Sequence, residues 1–84
     1  MSQALQFLRD GWGDESLIAL KEWAGPNGEM GIYQSKDYGF IYLFVLADAA
    51  NRKYYLQQYR DEDLKDNALK DAEIIAAFAG AQEK

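Results

Sequence analysis

The chain has 84 residues, 14 acids against 9 bases, a formal net charge of −5, and neither cysteine nor histidine. Those totals exclude disulfide staples, thiolate chemistry and imidazole catalysis or ligation. They also disfavour direct binding of nucleic-acid phosphates, which calls for clustered Lys and Arg; here only Arg52 and Lys53 are adjacent.

At this length a single domain spanning 1–84 is expected, burying about 60–65% of its unfolded surface. Met1-Ser2-Gln3-Ala4 lack the basic and apolar regions of a secretion signal, which points to the cytoplasm. The longest apolar run, residues 40–47, falls well short of the roughly 20 residues a helix needs to cross a bilayer, so no membrane contact is expected.

Ser2 is a good N-cap, and Ala4, Leu5, Phe7 and Leu8 follow at helical spacing up to Gly11, giving a short first helix. Residues 15–24 read as a second helix: Asp14 is available as its cap, and Leu17, Leu20 and Ala24 share a face before Gly25-Pro26. The rival for this stretch is a strand over 16–23, turned through Pro26-Asn27-Gly28 into the next strand. Residues 29–35 read as a strand weakened by Gly31, and residues 36–39 as a turn.

The run that follows, Gly39-Phe-Ile-Tyr-Leu-Phe-Val-Leu-Ala47, reads as a strand buried on both faces. Phe40, Tyr42, Phe44 and Leu46 point one way, and Ile41, Leu43 and Val45 the other. Residues 53–59 form another strand, with Tyr54, Leu56 and Gln58 opposed to Lys53, Tyr55, Gln57 and Tyr59. Asp61-Glu62-Asp63 then supply caps for a C-terminal helix whose Leu64, Ala68, Leu69, Ala72, Ile75, Ala76, Phe78 and Ala79 fall within half its circumference. Ile74 lies off that arc, and residues 81–84 read as frayed. The expected fold is α+β: short N-terminal helices, a three-stranded antiparallel meander and a C-terminal amphipathic helix packed on the sheet.

No cofactor or metal is expected. The chain has no Gly-x-Gly-x-x-Gly, phosphate-binding loop, Cys-x-x-Cys or His-Glu-x-x-His pattern, and Asp61-x-Asp63 lacks the later residues of a calcium loop. The leading functional reading is a small acidic, non-catalytic protein-binding module, an inhibitor or regulator of a larger partner with a basic surface, such as one that handles nucleic acid. Composition alone suggests a phage or mobile-element accessory protein. The surface expected to carry binding comprises Tyr55, Tyr59, Asp61, Glu62, Asp63, Asp66 and Ile74: tyrosine offers contact area at low entropic cost, and the acids offer charge. A homodimer is expected if the N-terminal helices leave one sheet face open. The alternative is a small enzyme or ligand-binding domain using carboxylates and tyrosines.

Overall fold

The computed structural model describes residues 2–26 and 28–84, with the backbone alone at Glu62. Helix α1 spans Gln3–Trp12. Strands β1 (Leu17–Gly25), β2 (Gly28–Ser35), β3 (Ile41–Asp48) and β4 (Lys53–Tyr59) follow, then a 3-10 turn (Glu62–Leu64), helix α2 (Lys65–Ala79) and a two-residue strand β5 (Gln82–Glu83). The strands form one antiparallel sheet in the order β4-β3-β2-β1-β5.

The α+β class holds, and three details of the expectation are corrected. The sheet has five strands rather than three. The stretch expected as a second N-terminal helix, residues 15–24, is instead a turn at Glu15 and Ser16 leading into β1. The C-terminal residues add β5 against Trp23 and Ala24 instead of fraying. The hairpin weighed as the rival closes with Gly25 opposite Gly28; Asn27 of its turn, like Met1, lies outside the described residues.

A bulge explains why β1 is hard to read as a strand. Ala19 pairs with Tyr33 and Lys21 with Ile32, which leaves Leu20 as an extra residue. The alternation therefore changes face midway: Leu17 is buried on the α1 side and Trp23 on the α2 side. The broken period spaces Leu17, Leu20 and Ala24 as a helix would.

The two helices lie on opposite faces of the sheet. Ala4, Leu5 and Leu8 of α1 pack with Leu17, Tyr33, Tyr42, Phe44 and Leu46. Ala68, Ala72 and Ala76 of α2 pack with Trp23, Met30, Ile32, Ile41, Leu43 and Tyr59. Strand β3 thus divides its side chains between the faces as its sequence requires. The second cover is α1, with Phe7 partly buried against its cluster.

Polar contacts set the helix ends. The Ser2 hydroxyl accepts from the Leu5 N–H at 3.1 Å and donates to Glu22, while Glu29 Oε1 takes the Ala4 N–H at 2.9 Å. Gly13, in the left-handed region at φ 66°, ends α1. Asp14 does not cap a helix. It accepts from Ser16 N–H at 2.9 Å, Ser16 Oγ at 2.6 Å and Ser35 Oγ at 2.5 Å, holding the entry to β1 beside the end of β2.

Gly31 is explained by its neighbour. A Cβ there would stand 2.6 Å from the Tyr33 hydroxyl and 2.8 Å from the Lys21 carbonyl oxygen. The bare backbone makes room for the Tyr33 ring, whose hydroxyl donates to Glu22 at 2.7 Å.

Candidate functional site

Two contacts fix how α2 is rolled on the sheet. Asp71 accepts from the Tyr59 hydroxyl of β4 at 2.7 Å, and Glu73 takes the Lys21 ammonium of β1 at 3.2 Å. One flank of the helix therefore faces β4 and the other faces β1. Side chains three, four or seven positions apart share a side of a helix. Ile75 and Phe78 follow Asp71 along the β4 flank, while Ile74, about 160° around the helix from Ala72, points away from the sheet; Asp66, seven residues before Glu73, belongs to the β1 flank.

Tyr55 stands on the same side of the sheet as that β4 flank. It is directly opposite Val45 in the β3–β4 ladder, and opposed residues of an antiparallel pair share a face. Val45 and Ile75 are both half-buried against the α2-side core. Tyr55 is itself exposed, with its hydroxyl donating to Gln57 Oε1 at 2.9 Å. Ile74 is 57% exposed and Phe78 90%. Where the helix ends, a recess of about 190 Å3 opens between Met30, Val45, Leu46, Ala79 and Ala81. Phe78 immediately precedes Ala79 of that lining.

The residues expected to bind a partner are thus only partly brought together. Tyr55 is exposed on the α2 side of the sheet, and Ile74 is exposed on the outer face of α2. Tyr59 is buried: its ring joins the α2-side core, and burial together with Asp71 raises its hydroxyl pKa above the ordinary tyrosine value. It ties β4 to α2 and offers no free contact surface. Asp61 and Asp63 are exposed in the turn before α2, where the Asp61 carboxylate accepts from the Asp63 N–H at 2.9 Å. The side chain of Glu62 lies outside the described residues. Asp66 is exposed but on the far flank.

Sequence reasoning misplaced Phe78 by assigning it to the core. The signal for the correct placement was the alanine ladder. Ala68, Ala72 and Ala76 fill the line nearest the sheet, and Phe78 lies about 120° around the helix from Ala72. The acids expected to cap the helix do not do so, because α2 begins at Lys65 with no side-chain cap, after the 3-10 turn Glu62–Leu64.

β4 carries a second aromatic group on its other face. Tyr54 is 5.7 Å from Phe7, 5.6 Å from Phe44 and 6.1 Å, edge-on, from Trp12, ring centre to ring centre. The Arg52 guanidinium sits over the Phe7 ring at 4.8 Å. Tyr54 and Trp12 both keep a large share of their surface in solvent.

A broad, open depression of about 770 Å3 is lined by Asp10, Asp14, Glu15 and Asp37. Its buried member, Asp14, is held below the ordinary aspartate range by hydrogen bonds from Ser16 and Ser35. Such a carboxylate stays ionised and fully bonded near neutral pH, a poor proton donor or acceptor. Among the described residues, no three acids are placed to share a metal ion, and no helix is long and apolar enough to cross a membrane. No family model, curated protein or solved structure matches the chain.

Proposed function

We propose that this chain is a small non-catalytic protein-binding module that captures its partner on the β4 flank of α2. The observation that carries the reading is Phe78, 90% exposed beside the small apolar recess, with Ile74 and Tyr55 exposed as well. An aromatic side chain that a soluble domain leaves in water contributes nothing to its own fold, and aromatic anchors beside a pocket are where binding energy concentrates. The recess is smaller than the roughly 300 Å3 at which small-molecule sites begin, which suits one apolar side chain of a protein partner better than a free ligand.

The acids give this surface its reach. With a net charge of −5 and with Asp61 and Asp63 exposed before α2, a partner with a basic surface is drawn in by long-range attraction and held by the aromatic contacts. An inhibitor or regulator of a larger, nucleic-acid-handling protein in the cytoplasm fits this chemistry, as does an accessory protein of a phage or mobile element.

The test is capture of partners from the source cell on immobilised full-length protein, compared with the Phe78→Ser and Tyr55→Ala variants. Replacing an anchor in a pocket-lined contact should weaken binding by at least about 30-fold, the scale of a hot spot. Raising the salt concentration should slow association and leave dissociation largely unchanged. A partner that binds both variants as well as the parent would refute this reading.

A further inference from the structure

The two edges of the sheet are built differently. At the β1 edge the backbone is occupied at both ends. β5 pairs with Trp23 and Ala24, the Lys84 N–H donates to the Glu22 carbonyl at 3.0 Å, and the Arg9 guanidinium takes the Leu17 carbonyl at 2.9 and 3.1 Å. The Leu20 bulge twists that edge, and Lys21 stands on it with ion pairs to Glu73 and Glu83. These are the means by which edge strands are kept from pairing with other chains.

Among the described residues, β4 has none of this protection from Tyr54 to Tyr59. The strand order ends there, and the six residues are Tyr, Tyr, Leu, Gln, Gln and Tyr, with no charge, proline or glycine. Such residues favour strand pairing. The strand is also polar in the electrostatic sense. Arg52 and Lys53 stand at its start, and Asp61, Glu62 and Asp63 follow its end, with Arg60 between.

We propose that β4 pairs antiparallel with β4 of a second copy, so that two chains share one continuous sheet. Antiparallel pairing about a two-fold axis is self-complementary. It sets the basic start of each strand beside the acidic end of its partner, whereas a parallel arrangement would set like charges together. The axis then runs perpendicular to the sheet. Both α2 helices fall on one face, and with Gln57 at the axis each Tyr55 stands opposite Tyr59 of the other copy on that face. The inference goes beyond the protein-binding reading and does not depend on it, since it uses the backbone edge of β4.

Sedimentation of the full-length chain at high micromolar concentration tests it, with circular dichroism confirming that each variant is folded. The parent should sediment as a dimer. Gln57→Lys, an exposed change near the axis that occurs twice in the interface, should weaken the dimer by at least about tenfold. Lys53→Glu and Asp61→Lys should each do the same, because each sets like charges together at both ends of the paired strands. Mixing those two variants should restore a dimer containing one copy of each, since both charge pairs are then opposite in sign. A monomeric parent would overturn the proposal. So would a dimer unmoved by Gln57→Lys, or a mixture of the two charge variants that stays monomeric.

Discussion

Phe44 and Phe78 are opposite tests of the same structure. Phe44, at the centre of β3, has no exposed surface, and its ring lies 5.9 Å from Phe7, 5.6 Å from Tyr54 and 6.4 Å from Tyr33. Phe44→Ala removes the transfer energy of the ring and leaves a cavity in a packed layer, a loss of about 3–5 kcal/mol. A domain of 84 residues has a total stability of about 4–13 kcal/mol. The variant should therefore lose about a quarter of its stability at the least and unfold outright if the domain is at the lower end. Phe78 is 90% exposed on a helix. Phe78→Ala gives up almost no burial and gains a few tenths of a kcal/mol in helix propensity, so the net change should stay within about 0.5 kcal/mol. Equilibrium urea denaturation of the two variants, followed by circular dichroism, measures both. A loss above about 2 kcal/mol for Phe78→Ala would mean that its ring is buried. Helix α2 would then be rolled differently on the sheet, and the candidate surface would be lost with it. A loss under about 1 kcal/mol for Phe44→Ala, the scale of a surface change, would remove β3 from the centre of the sheet.

Gly31→Ala should cost on the order of 1–3 kcal/mol, because the new methyl meets both the Tyr33 hydroxyl and the Lys21 carbonyl; a thermal melt unchanged from the parent would contradict that packing. Asp14 has a carboxyl pKa lowered in the fold, so its contribution is present above the unfolded aspartate value near 4 and is lost as pH falls through the lower folded value. Asp14→Asn should therefore be less stable than the parent at neutral pH, with the difference shrinking below about pH 4, as read from denaturation midpoints. Tyr33 and Tyr59 are both raised by burial and by the carboxylates they donate to, Glu22 and Asp71. Their stabilisation is present in full below the unfolded value near 10 and fades as pH rises above it, so in a spectrophotometric titration both should ionise only as the domain unfolds. Full ionisation of all six tyrosines in a still-folded protein would refute those contacts.

What the sequence discloses follows from how local each signal is. The alternation of residues 40–47 survives in β3 because both faces of that strand are buried, leaving no freedom of register. The amphipathic pattern of α1 is equally direct, since Ala4, Leu5 and Leu8, with Phe7 partly buried beside them, face their side of the sheet. β1 is obscured by one inserted residue, Leu20, whose effect on facing depends on a ladder formed with β2. The roll of α2 depends on Tyr59–Asp71 and Lys21–Glu73, contacts between residues 12 and 52 positions apart, which helical periodicity does not contain. The misplacement of Phe78 and the separation of Asp66 from Tyr55 both follow from that missing roll angle. Tyr59 was misjudged for a related reason: it shares a strand face with the exposed Tyr55, but α2 starts beside it and covers that end alone.

The small residues of α2 connect stability to the proposed role. Ala68, Ala72 and Ala76 allow the helix to approach the sheet closely, so the layer between them is filled by strand side chains such as Trp23, Ile32 and Leu43. A helix packed this way needs no large apolar residue on its flanks. Phe78 adds almost no burial to the monomer and Ile74 leaves more than half of its surface in water, at a cost in solubility that a purely structural helix would avoid. β4 shows the same departure, with an unprotected edge and two exposed tyrosines on opposite faces, beside a β1 edge closed by a bulge, a short strand and charges. Neither departure is needed to hold the sheet together, so variants in either place separate binding from folding, which is the condition under which the capture and sedimentation experiments give unambiguous answers.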